Sequence, residues 1–251
     1  MTATTGTVGL AISPVPVVTC NGSTVTAGLA WTPANLTPAT EGNVSVSVSA
    51  SSGVCSGRVA QCGSIVSVYS GKGNNISSYK TVRIGDQTWM AENLNYVVEG
   101  SKCYGNSSAC DKYGSLYNWA TAMALPSSCN SSICSSQIQS PHRGICPDGW
   151  HIPSDADWGV LMMAVGAEAG TKLKAASGWN NKDDGSSGNG TDEYGFSALP
   201  GGFGRSDGSF YHVGNFGYWW SANGGTRCMI YYNSGVSWCG ESYSSVRCLQ
   251  D

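Results

Sequence analysis

The apolar positions change rhythm along the chain. In "TVGLAISPVPVV", "STVTAGLAW" and "NVSVSVSAS", all within residues 1–69, β-branched residues alternate with small polar ones. A two-residue period places alternate side chains on opposite faces of a strand. Val44, Val46 and Val48 then share one face, and Ser45, Ser47 and Ser49 the other. Pro, Gly and Asn separate the runs, so the stretch predicts several short strands of a small sandwich-like module. Further along, the apolar period lengthens to three and four residues. "YGSLYNWATAMAL" predicts a helix over 113–125 that buries Leu116, Trp119, Ala120 and Met123. A second helix starts after Pro153. Ser154 is its N-cap, Asp157 completes a capping-box-like Ser-x-x-Asp, and Trp158, Leu161, Met162 and Val165 form its buried stripe.

Turn signals divide the rest. "SGKGNNISSYK", 70–80, is polar and turn-rich and predicts a linker. The organisation is therefore a β-rich Ig-like or spacer module over 1–69, the linker, and a larger domain over 81–251. Within that domain, 126–145 is a cysteine-bearing ordered loop and 178–195 a long polar loop. From 170 onward the chain predicts loops and short strands. "CMIYYNSGVSWC" is a hairpin turning at Asn233-Ser-Gly, and "SVRCLQD" a last strand. Trp219 and Trp220 are strand neighbours, so at most one of them can enter a given core.

Composition narrows the class. Charged residues are only 12% of 251, Gly numbers 34, and the net charge is −3. Without a basic run, nucleic acid is not an expected partner. No apolar stretch reaches the roughly 20 residues that span a bilayer. No signal peptide follows Met1, so the chain reads as a mature or trimmed form. Eleven cysteines without zinc-ligand spacing indicate a disulfide framework in an oxidising compartment. They fall as Cys103/Cys110, Cys129/Cys134 and Cys228/Cys239, with Cys20, Cys55, Cys62, Cys146 and Cys248 isolated. Sequons such as Asn21-Gly-Ser and Asn130-Ser-Ser carry little weight in so Asn- and Ser-rich a chain.

The order of motifs is more specific. It runs "VRIGDQTWMAENLNY" (82–96), "YGSLYNWATAM" (113–123), "CPDGWHIPSDADWGVL" (146–161), "TKLKAASGW" (171–179), "DEYGFSALPGG" (192–202), "YWWSA" (218–222) and "SVRCLQD" (245–251). Over about residues 80–251 this resembles the Fibrobacter succinogenes major paralogous domain of bacterial surface proteins. The resemblance implies a C-type-lectin-like α+β fold, related to formylglycine-generating enzymes and retroelement variable proteins. Two helices would pack on small twisted antiparallel sheets, with the terminal strands side by side. It further implies a long-range disulfide from Cys146 to Cys248 and a hairpin disulfide from Cys228 to Cys239. Cys103–Cys110 and Cys129–Cys134 would then be local staples. Cys20, Cys55 and Cys62 remain for the first module, as one pair and one leftover whose identity stays open.

Three function classes compete. The first is a non-enzymatic, extracellular or cell-surface binding or adhesion protein, recognising carbohydrate or another surface ligand through its late loops. Its candidate ligand-binding residues are Tyr211, Asn215, Tyr218, Asn223, Tyr231, Tyr232, Asn233, Trp238 and Tyr243. Aromatic rings stack on sugar faces, amides bond hydroxyls, and such residues suit adaptable surfaces. Half of these rings could equally be core. Ca²⁺ is the candidate cofactor, through Asp183, Asp184, Asn189 and Asp192, with Asn180 and Glu193 nearby. Hard oxygen ligands on a Gly-rich loop are what Ca²⁺ takes, although a solvated acidic loop has the same composition. The Glu-Pro-Asn, Gln-Pro-Asp and Trp-Asn-Asp patterns of sugar-binding relatives are absent. The second class is a structural subunit of a surface filament or matrix, self-associating through the N-terminal β module. The third is a formylglycine-generating-like oxidase using Cys228, Cys239 or Cys248. Arg227 and Arg247 flank two of them, but disulfide pairing is the simpler use and the Gly-Phe-Arg signature is missing. His142, His151 and His212 stand in unrelated contexts, and His151 reads as packed in a core.

Overall fold

The computed structural model describes residues 76–132 and 134–251, together with the strand segments Val17–Cys20, Ser23–Thr26, Ser45–Val48 and Ile65–Tyr69. Those four segments are β1 to β4, and their side chains, including the faces expected for Val46 and Val48, lie outside the described residues. So do Val44 and the thiols of Cys20, Cys55 and Cys62.

Strand β5 (Ile76–Ile84) runs into β6 (Gln87–Met90) through a tight turn. It begins inside the stretch read as a linker, and Tyr79 shows why. That ring is buried, and its hydroxyl accepts a hydrogen bond from the Asn95 backbone at 2.9 Å. The late strand β13 (Leu249–Gln250) lies between β6 and β7 (Trp150–His151). The resulting sheet has the order β3-β4-β5-β6-β13-β7. Alternation along its strands, and along the strand Phe216–Trp220 outside it, sorts neighbouring residues into two cores. Trp89, Trp219 and Leu249 join Trp158, Leu161 and Phe196 on one side. Met90, Trp220 and Cys248 join Tyr117, Met123 and Trp150 on the other. Both tryptophans of the Trp219-Trp220 pair are thus buried, in different cores, as strand geometry requires. Trp89 meets Trp158 at a ring separation of 4.8 Å and Phe196 edge-on at 5.8 Å.

The second predicted helix is present as α3 (Asp155–Val165). Ser154 and Asp157 form the reciprocal capping box, and Trp158, Leu161 and Val165 are buried. Met162 is half-buried at the edge of the stripe. The first predicted helix is corrected. A short helix, Ser107–Tyr113, precedes the predicted span, and only Trp119–Ala122 is helical within it; these are α1 and α2. Gly114 ends α1 at φ 74°, packed so closely that a Cβ would fall 2.7 Å from the Asn93 side chain. Leu116 and Tyr117 are extended and bridge to Lys102 and Ser244. Leu116, Ala120 and Met123 are buried as expected and Trp119 partly so, but Leu116 is buried through an extended bridge rather than on a helix face. A further short helix, α4 (Ala169–Leu173), lies in the stretch read as loops.

The late strands build two smaller antiparallel units. One is the hairpin β8 (Phe203–Gly204) with β9 (Phe210–Tyr211). The other is the sheet β10 (Phe216–Trp220), β11 (Thr226–Ile230) and β12 (Val236–Cys239), in that order. β11 and β12 are the predicted hairpin. The molecule is therefore α+β with small antiparallel sheets. Among the described residues, four disulfides staple it: Cys103–Cys110, Cys129–Cys134, Cys146–Cys248 and Cys228–Cys239. These are the pairs the resemblance implies. No helix among the described residues is long and apolar enough to cross a membrane.

A buried polar hub ties the elements together. Asn93 Oδ1 accepts hydrogen bonds from Trp219 Nε1 (2.8 Å), Arg247 Nη2 (2.9 Å) and Arg247 Nε (3.2 Å). Arg247 also donates to the carbonyl of Phe196 and sits over its ring at 4.2 Å. Burial holds its guanidinium down at about 9. Lys174 is likewise buried, donating to the carbonyls of Ile230 (3.1 Å) and Asn233 (3.2 Å). Its ammonium is pulled down to about 8, chiefly by burial. Buried charges need such partners; these two are structural.

Candidate binding cleft

The carbonyl oxygens of three asparagines are each held by a backbone N–H. Asn118 caps α2 by accepting from Thr121 N at 2.8 Å. Asn130 accepts from Ala120 N at 2.9 Å, and Asn223 from Asp155 N at 2.9 Å at the start of α3. The amides are fixed in plane, and the NH₂ groups of Asn130 and Asn223 make no hydrogen bond among the described residues. All three line one open cleft of about 840 Å³. Its walls come from α2 and the 3₁₀ turn Ser127–Asn130 on one side. The other side is formed by the β8–β9 turn and the loops around Asn223 and Tyr243.

Three aromatic rings face the same space: Trp119, Trp220 and Tyr243. The indole N–H groups turn inward, Trp119 Nε1 to the Ser221 carbonyl (3.2 Å) and Trp220 Nε1 to the Tyr117 carbonyl (2.7 Å). Trp119, half-buried, keeps ring carbon on the cleft, whereas Trp220 is 5% exposed and belongs chiefly to the core. The Lys102 ammonium lies 4.0 Å from the Tyr243 ring centroid, and Asn118 Nδ2 donates to the Tyr243 hydroxyl at 3.5 Å. Ser206 and Ser242 add hydroxyls, and Glu241 a carboxylate. Burial raises the Glu241 carboxyl above its ordinary value, partly offset by Arg205.

Of the nine ligand-binding candidates, Asn223 and Tyr243 line this cleft. Tyr218 is corrected: it is 3% exposed, packed among Phe203 and Phe216, with its hydroxyl 3.3 Å from His212 Nδ1. Tyr211 is on the surface, stacked on Phe203 and covered by the Arg205 guanidinium at 4.6 Å. Asn215 accepts from Asn180 Nδ2, and Tyr231 donates to Asp183. Tyr232 and Asn233 are exposed beside Tyr231. Trp238 is half-exposed on the edge strand β12, with Arg227 stacked 3.4 Å from its ring centroid. None of these seven lines the cleft. Trp119, Trp220, Asn118, Asn130 and Glu241 were missed. The two tryptophans read as core, and part of each is.

The candidate oxygens of the acidic loop are engaged in hydrogen bonds. Asp184 accepts from Ser186, Asn189 from Trp179 N, and Asp192 from Ser197 N and Oγ. Each oxygen set serves a local turn. Among the described residues, no group of three His, Cys, Asp or Glu side chains could hold a metal ion. The three late cysteines are all in disulfides. His151 is buried as expected, though between two carboxylates: Asp251 at 2.7 Å and Asp157 at 3.5 Å.

Fold and cleft together define a disulfide-stapled α+β domain with an aromatic and amide-lined groove. Residues 82–250 match the family model of the Fibrobacter succinogenes major domain, and the chain belongs to that family. Neither a curated protein nor a solved structure matches the chain.

Proposed function

We propose that this is a non-enzymatic extracellular binding or adhesion protein of C-type-lectin-like fold that takes carbohydrate into the cleft. The observation that carries the reading is the pairing of Trp119 and Tyr243 with the fixed amide donors of Asn130 and Asn223. Ring faces bury the apolar side of a pyranose, and aligned amides bond its hydroxyls at little entropic cost. The disulfides fit an oxidising compartment. The fold assignment is supported by the long Cys146–Cys248 bridge, the stapled hairpin, and β13 beside β6. The paired state of Cys228, Cys239 and Cys248 favours a structural use of these sulfurs over oxidase chemistry.

The test is a screen of glycans and cell-wall polysaccharides, with and without EDTA, on the wild type and on Trp119→Ala and Tyr243→Ala. Binding should survive EDTA, and each variant should lose about tenfold or more in affinity, the scale of a buried aromatic contact. Binding to no saccharide, or binding indifferent to both substitutions, would sink the proposal.

A further inference from the structure

Glu241 is the one charged side chain on the cleft wall among the described residues. Every other polar group there is an amide, a hydroxyl or a phenol. The carboxylate has no hydrogen bond and no close ion pair among those residues. The cation that acts on it, Arg205, is instead spread over the Tyr211 ring at 4.6 Å and the Phe203 ring at 5.9 Å. Lys102 is likewise engaged, donating to the Arg205 carbonyl at 3.2 Å beneath the Tyr243 ring.

We infer that the cleft selects saccharides carrying a free primary amine, with the ammonium seated on Glu241 and the sugar face on the neighbouring aromatic rings. The inference rests on reading the cleft as a saccharide site. The carboxylate is only partly desolvated, and a ligand ammonium supplies it with a counter-charge and three donors. The fixed amides present N–H groups, so Glu241 is the strong acceptor of the site. A neutral sugar satisfies the amides through its hydroxyl oxygens but leaves the carboxylate without a counter-charge. An acidic sugar would meet it with like charge.

The experiment is calorimetric titration of the full chain at low salt and mildly acidic pH. Four probes are compared: a glucosamine tetramer, its fully N-acetylated counterpart, cellotetraose and trilysine. The glucosamine tetramer should bind about tenfold or more tighter than either neutral tetramer, and added salt should narrow the gap. Glu241→Gln, nearly isosteric, should bring the ratio of amine-bearing to neutral affinity down to about one. Equal affinity for the three tetramers, or a preference that persists in Glu241→Gln, would overturn the inference and leave the saccharide reading intact. Glu241-dependent capture of trilysine without binding of any tetramer would overturn both, as would binding of none of the four.

Discussion

At the scale of single residues, His151 shows how one side chain fastens two distant segments. Its ring links Asp157, in the first turn of α3, with Asp251. Burial alone would push the imidazole down, but the hydrogen bonds to Asp157 and Asp251 outweigh it, and the net shift is upward from 6.5. Asp157, bonded to His151 against some burial and capped by Ser154, falls from 3.8 to about 2. A raised histidine stabilises fully below its unfolded value and loses that contribution as pH rises through its folded value. A lowered carboxylate stabilises fully above its unfolded value and loses that as pH falls through its folded one. The clasp should therefore be strongest between pH about 4 and about 6.5. Urea unfolding of the wild type and His151→Gln should show the widest stability gap there, narrowing toward alkaline pH and toward pH 2. A gap independent of pH would show that the histidine acts by packing alone.

At the scale of elements, two helical glycines differ in their neighbours and so should differ in the sign of one substitution. Gly159, inside α3, has no atom within 4 Å of an added Cβ. Gly159→Ala should stabilise by about 0.5–1 kcal/mol, through lower unfolded-state entropy and better helix propensity. Gly170, inside α4, would place its Cβ 2.2 Å from the Gly235 carbonyl oxygen. The loop it meets is pinned by the hydrogen bond from Thr171 N to Ser234 O at 3.1 Å. Gly170→Ala should cost about 1–3 kcal/mol, and chemical denaturation of both variants checks the opposite signs. Elements also show where sequence periodicity misleads. Leu116, Ala120 and Met123 repeat at helical steps and are buried, yet Leu116 lies in an extended bridge. Burial frequency is written in composition. The hydrogen-bonding partner that decides helix or strand is set by Lys102 and Ser244, remote in sequence.

At the scale of the whole molecule, closure depends on long-range ties. Cys146–Cys248 spans 102 residues and Cys129–Cys134 spans 5. Loop entropy predicts that replacing the first pair by Ala costs on the order of 5 kcal/mol and the second on the order of 2 kcal/mol. Equal losses in denaturant unfolding would point to native-state packing rather than chain entropy. The long bridge also brings the last residues under β6, and with them Arg247 onto Asn93. The cleft depends on the same closure, because its walls come from segments about 118–138, 206, 220–224 and 240–243.

Three things were determined by the sequence alone. They are the family, through motif order; the cap and stripe of α3, which are local; and the disulfide-bonded character, through cysteine count and spacing. Asn223 and Tyr243, picked out as candidates because amides and aromatics in late loops suit ligand contact, do line the cleft. The tertiary structure decided the rest. It sent Trp219 and Trp220 into separate cores, withdrew Tyr218 from the surface, tied the oxygens of the acidic loop into hydrogen bonds, and made Trp119 and Glu241 neighbours of one space. Periodicity and capping act between residues a few positions apart, so a one-dimensional pattern records them. A cleft is a gap between segments, and its lining exists only once the sheet and the long disulfide have brought those segments together.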